Sequence, residues 1–178
     1  MEIQAVLLDT SFVIRLLCKD DELHENAVAY YKYFLDHNVD MKFSTISIAE
    51  YCVIGKVSEL PLRNLKIIPF NFDHAQRAGQ FAATVFSARK AGMLPEIKER
   101  MLIPNDTKLF SQADLDSSIQ YYVTSDVKSK NTISILINEC GARLQHLDIH
   151  IPAGQFLAIC FCNTCHSWFH PRRYSQKG

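Results

Sequence analysis

The chain predicts a three-layer α/β/α domain built around a mostly parallel five-stranded sheet. Three observations carry that prediction. Strand-like and helix-like stretches alternate from one end to the other, the pattern that places helices on both faces of a parallel sheet. The first strand runs through four consecutive apolar residues, Ala5-Val6-Leu7-Leu8, as expected of a strand buried on both faces. With 178 residues, 48% of them hydrophobic, the chain is long enough for one domain around one core and too apolar for disorder.

The elements follow in order. Residues 3–8 form the first strand. Phe12, Val13, Leu16 and Leu17 then recur at helical spacing. Asp20 or Asp21 is placed to cap a second helix in which His24, Ala27, Val28, Tyr31, Phe34 and Leu35 give the helical period, and Asn38 ends it. Residues 42–46 form a short strand. Ser47 is placed to cap the next helix, and Ser47 with Glu50 fits a capping box. A third short strand spans 65–69. A long helical segment, 73–91, carries Ala75, Ala78, Ala82, Val85 and Phe86 on one stripe, and Gly92 breaks it. A mixed-charge helical piece follows over 94–101. Together these form an addition to the minimal alternation, suited to a lid or a partner surface. Asn105 and Asp106 open a further helix in which Asp114 and Asp116 read as solvated. A strand at 121–124, a helix stopped by Gly141 and a last strand at 147–151 complete the domain. Tyr121 and Tyr122 could stack on bases but, on a buried strand, read as core.

Bulk properties narrow the function. Lysine plus arginine and aspartate plus glutamate each number 19, so net charge gives no broad adhesion to nucleic acid or membrane, although a local basic rim would suffice for RNA. No stretch has the length of a membrane span and no secretion signal opens the chain, so a cytoplasmic protein without a membrane partner is expected. Cys18, Cys52 and Cys140 read as small buried hydrophobes.

Four acidic residues share one kind of position. Asp9 ends the first strand, Glu50 lies in the first turn of the helix after the second strand, Asp106 starts a helix, and Asp126 ends a later strand. In a parallel sheet, strand C-termini and the following helix N-termini meet at one edge, so these residues are expected to converge there. Each alone is adequately explained as a cap or a turn former. Together they would repel one another unless protonated or bridged by a cation. Oxygen ligands without histidine or cysteine suit Mg²⁺ or Mn²⁺, and such an ion serves phosphoryl chemistry by activating a bound water.

The segments L-L-D-T-S, S-T-I-S-I-A-E-Y, N-D-T-K-L-F-S-Q-A and V-T-S-D resemble those of PIN-domain ribonucleases of the VapC-like toxin type, over roughly residues 3–151. The resemblance implies an α/β/α sheet, an Mg²⁺- or Mn²⁺-dependent endoribonuclease, an RNA substrate and, for many bacterial members, a homodimer and an antitoxin partner. It assigns the metal carboxylates to Asp9, Glu50, Asp106 and Asp126, and supporting hydroxyls to Thr10, Ser11, Thr124 and Ser125. Two departures stand out. Val127, Lys128 and Ser129 follow Asp126 where the family often has a second acidic or polar residue and an aromatic, and the helical stretch before Pro104 is longer than in the minimal toxin. Lys108, Lys128, Lys130 and Arg15 are the candidate RNA-binding cations. The Arg89–Lys90 pair reads as part of a mixed-charge surface.

The division expected is a nuclease-like domain over 1–151 and a tail over 152–178. The tail gathers Cys160, Cys162, Cys165, His166 and His170. One C-x-x-C with such tightly spaced partners is a poor tetrahedral zinc site, and a short strand at 156–161 with a basic end is the simpler reading. Two other functions compete with the nuclease. A catalytically weak RNA-binding or scaffold module is compatible with the neutral charge and the residues after Asp126. An aspartate-nucleophile phosphatase would show D-x-D on the first strand, where Ser11 stands instead.

Overall fold

The computed structural model describes residues 3–94 and 104–156. The first strand, β1 (Ala5–Leu8), sits at the centre of a five-stranded sheet in the order β3-β2-β1-β4-β5. Its companions are β2 (Asp40–Ser44), β3 (Lys66–Ile68), β4 (Ile119–Thr124) and β5 (Gln145–Asp148). All four strand pairings are parallel. The apolar run of β1 explains its position: all four residues are fully buried, with Val6 and Leu8 facing one core and Ala5 and Leu7 the other. Each such leucine or valine contributes about 1.5–3 kcal/mol by leaving water, which only a central strand can collect on both faces.

Helices α1 (Thr10–Leu17), α2 (His24–Asp36) and α3 (Thr45–Tyr51) cover one face, through Phe12, Val13, Ala27, Tyr30, Phe34 and Tyr51. Helices α4 (Phe72–Lys90), α5 (Asn105–Leu115) and α6 (Val127–Cys140) cover the other, through Phe81, Val85, Leu109, Phe110, Ile133 and Leu136. The three-layer α/β/α fold with a parallel five-stranded sheet is the one expected. From β1 the chain builds outward to β2 and β3, then returns to add β4 and β5 on the other side. The ends of β1 and β4 therefore flank the point where strand order reverses, the usual position of a ligand crevice in open α/β sheets.

Several local expectations are corrected. The Ser44 hydroxyl, not Ser47, caps α3 by accepting from Ile46 N at 3.0 Å, so β2 ends and α3 begins earlier than the capping-box reading placed them. Ser47 is inside the helix, buried, with a hydroxyl that has no hydrogen-bond partner among the described residues. Leu23 precedes α2 and supplies no side-chain cap, while Asp21 accepts from Leu23 N at 2.9 Å just outside the helix. The last strand also lies earlier than expected, because Asp148 turns the chain by accepting from His150 N at 2.9 Å. Cys18 and Cys52 are exposed and Cys140 is half-buried: the first two fall at the C-terminal caps of short helices, past the buried stripe. Helix α4 is not an appendage, since Phe81, Val85 and Ala88 are core residues.

Asp114 and Asp116 are not solvated helix-face residues. Asp114 is 4% exposed and accepts from Arg77 Nε of α4 and from Arg143 N, each at 2.8 Å, while its carbonyl takes Arg143 Nη2. Asp116 pairs with Lys42 of β2. Tyr122 is fully buried and Tyr121 packs edge-on to Phe156 at 5.4 Å, so the core reading of this strand holds. Residues 153–156 are helical, and Phe156 packs on the α1–α2 core. The expected helical piece at 94–101 (but for Leu94), the remainder of the 156–161 strand and the cysteine–histidine cluster of the tail lie outside the described residues. No helix among the described residues is long and apolar enough to cross a membrane.

Candidate active site

The site lies along the edge formed by the C-termini of β1 and β4. Asp9 follows β1 directly and is the N-cap of α1, with Oδ1 accepting from Thr10 N at 2.8 Å. Its other oxygen, Oδ2, accepts from Ser11 Oγ at 2.5 Å and Thr124 Oγ1 at 2.7 Å. Those hydroxyls are themselves held from the β4–α6 junction: Asp126 N donates to Thr124 Oγ1 at 2.9 Å, and Ser125 N donates to Ser11 Oγ at 3.1 Å. The result is a two-step relay from backbone amides through hydroxyls to one carboxylate oxygen. Asp9 is 8% exposed, and a carboxylate so buried is tolerable because donors surround it.

Glu50 is not in the first turn of its helix but is the sixth of the seven residues of α3. Its longer side chain reaches the site from there. Oε2 accepts from Thr10 Oγ1, and Oε1 accepts from Asn105 Nδ2 at 2.6 Å. Lys108 Nζ donates to Asn105 Oδ1 at 2.9 Å, which brings one candidate cation to the rim. Asp126 caps α6, accepting from Lys128 N at 3.0 Å and from Ser129 Oγ at 3.3 Å. Asp106 is the second residue of α5. Three helix N-termini, those of α1, α5 and α6, thus carry the aspartates, and their partial positive charge favours carboxylates there.

Asp106 feels the charges of the other three acids. The residue as a whole is exposed, yet its carboxyl group is crowded by protein atoms, and that desolvation is the largest influence on it. The charges of Asp9, Asp126 and Glu50 add to it, and together they push the pKa to about 6, with the Arg89 guanidinium pulling the other way. No hydrogen-bond donor among the described residues reaches Asp106. Arg89, expected on a mixed-charge surface, is half-buried near the end of α4; among the described residues its Nε has no hydrogen-bond partner, and its charge is felt at Asp106. Asn105 and Arg89 were legible only as neighbours of other features, because nothing in a helix pattern tells which end faces a site on another element.

Of the other predicted residues, Arg15 is committed to Asp21 rather than turned to the site. Lys128 and Lys130 are exposed on the first turns of α6. Among the described residues, no three acidic, histidine or cysteine side chains stand close enough to cage a metal ion as they are. The donor chemistry nonetheless suits a hard divalent cation: the set is all oxygen, and three carboxylates act on a fourth, Asp106, against the Arg89 guanidinium.

No protein-family model matches the chain, and no curated protein matches it. Solved structures do. The chain is similar to VapBC2 from Rickettsia felis bound to a DNA fragment from its promoter, with a TM-score of 0.52 and 19% identity over 82% of this chain and 100% of that one. It is also similar to DNA-bound VapBC from Salmonella typhimurium, with a TM-score of 0.46 and 18% identity over 83% and 98% of the two chains. A further match is the sarcin-ricin loop cleaving toxin VapC20 from Mycobacterium tuberculosis, with a TM-score of 0.46 and 16% identity over 70% and 92%. At 19% identity, the first of these shows a shared fold.

Proposed function

We propose that the chain is an endoribonuclease that hydrolyses RNA phosphodiester bonds with the help of Mg²⁺ or Mn²⁺. The observation that carries this reading is the convergence of Asp9, Glu50, Asp106 and Asp126, felt at Asp106 as a pKa pushed up to about 6. A cluster of that sign relieves its repulsion by binding a proton or a cation. The four carboxylates would hold the ion, which supplies polarisation of the phosphate and a water acidic enough to attack it.

The protein's own groups then have distinct tasks. Ser11 and Thr124 fix Asp9 so that its remaining lone pairs face the crevice. Thr10 and Asn105 hold Glu50 from two sides. Lys108 and Arg89 supply positive charge beside the acids and would attract the RNA backbone. Hydrolysis by water needs no covalent protein intermediate. The likeness in fold to a VapBC complex supports a toxin with an antitoxin partner, and a homodimer belongs to the same reading.

A structured RNA incubated with the protein and Mn²⁺ tests the proposal. Cleavage should fall on the order of 100-fold or more in Asp9→Asn and in Asp106→Asn, the usual scale for losing a group that organises the reacting centre. Unchanged cutting in both variants would sink the assignment. The alternative, an RNA-binding or scaffold module without turnover, is favoured by the open spacing of the acids; it predicts RNA binding with no cleavage at any Mn²⁺ concentration.

A further inference from the structure

Tyr122 carries a polar group that the reading above leaves without a task. On β4 it stands two residues before Thr124, opposite Leu7 of β1 and His146 of β5. Its ring is fully buried and meets Phe110 of α5 edge-on, with centroids 5.0 Å apart. A phenylalanine would fill that space equally well. The hydroxyl is sealed from solvent and, among the described residues, meets no partner at good hydrogen-bonding geometry, the contact with Asp9 included. It lies beside Asp9, the acceptor it faces, and within the field of Asp106 and Glu50. A phenol keeps its proton at neutral pH, so this group is a donor set against an acidic cluster. A buried donor without an acceptor destabilises a fold and calls for a functional explanation.

The acceptors nearby are unequal. Asp9 already takes three donors, from Thr10 N, Ser11 Oγ and Thr124 Oγ1. A carboxylate offers about four lone-pair positions, so little of Asp9 remains beyond what a cation would use. Asp106 takes no hydrogen bond from any described residue. Carboxylates that ligate a metal are normally steadied by a hydrogen bond to the oxygen not engaged by the ion. A donor that is not fully satisfied thus lies beside Asp9 and within the field of Asp106, an acid that lacks one.

We propose that Tyr122 is a positioning residue of the carboxylate site, its hydroxyl being the interior hydrogen-bond donor that steadies the Asp9–Asp106 pair while a divalent cation is held there. The inference rests on the reading of these acids as a cation site. It assigns the hydroxyl opposite effects in two states: unpaired and destabilising without the ion, paired and supporting with it.

The test is Tyr122→Phe, which removes the oxygen and leaves the ring. Melting in EDTA and calorimetric titration with Mn²⁺ alone are compared with the wild type, and with Asp106→Asn and the double variant. Tyr122→Phe should melt higher than wild type in EDTA yet bind Mn²⁺ about 10-fold more weakly. In the Asp106→Asn background the same change should leave Mn²⁺ binding untouched. Equal Mn²⁺ affinity in wild type and Tyr122→Phe overturns the positioning role and leaves the site reading standing. A lower melting point of Tyr122→Phe in EDTA overturns it too, since the hydroxyl would then be an ordinary structural bond. Absence of Mn²⁺ binding by the wild type overturns both readings.

Discussion

Thr124 has no chemistry of its own to perform, yet it decides where Asp9 points. Its hydroxyl gives its proton to Asp9 Oδ2 and takes one from the Asp126 amide. Replacing it with valine removes both bonds within a buried volume, so Thr124→Val should lower stability by about 1–3 kcal/mol, measured by urea denaturation, and should slow RNA cleavage with it. Asp106 makes the complementary case for charge. Its folded-state pKa of about 6 lies above the 3.8 of a free carboxyl, so the folded protein binds this proton more tightly than the unfolded chain. The contribution to stability is present below pH 3.8 and is lost as pH rises through 6. In EDTA, Asp106→Asn should therefore melt above wild type at pH 7.5, and the difference should vanish below pH 3.8. The proton and a cation compete for the same carboxylate, so Mn²⁺ affinity of the wild type should weaken as pH falls through 6. Asp9 and Asp126 were legible as acids at strand ends. Tyr122 was not, because a strand buried on both faces shows no alternation from which to tell which side chain looks into a site.

At the scale of elements, helix starts mattered most. Ser44 and Ser47 offer a hydroxyl on either side of the same short apolar stretch, and sequence spacing alone favoured the later one. The strand β2 wins residues up to Ser44 because Phe43 is fully buried between its neighbours, and the cap then falls at Ser44. This shift also frees Glu50 from a capping role and lets it reach Thr10 and Asn105. Asp114 illustrates the opposite difficulty. A helical wheel for α5 cannot announce that Arg77 arrives from α4 and Arg143 from the loop before β5. That clasp ties three elements at the end of α5 remote from Asp106. Asp114→Ala leaves the partly buried Arg77 without its carboxylate, with only Gln80 and the Cys140 carbonyl still accepting from it, and should destabilise the fold by about 3 kcal/mol, measured by urea denaturation.

For the whole molecule, the fold class was readable from the alternation of elements, and the doubly buried β1 from its apolar run. The strand order places the ends of β1 and β4 side by side at the reversal point, and three helix N-termini gather there with them. Residues separated by more than a hundred positions thereby act on one carboxyl group. On this reading the four acids form one cation site. Calorimetric titration of Mn²⁺ into the wild type and into Asp9→Asn, Glu50→Gln, Asp106→Asn and Asp126→Asn tests it most directly. The wild type should bind Mn²⁺ saturably and each variant more weakly, with the largest losses in Asp9→Asn and Asp106→Asn. A wild type that takes up no Mn²⁺, or one whose binding survives the loss of both Asp9 and Asp106, would contradict it.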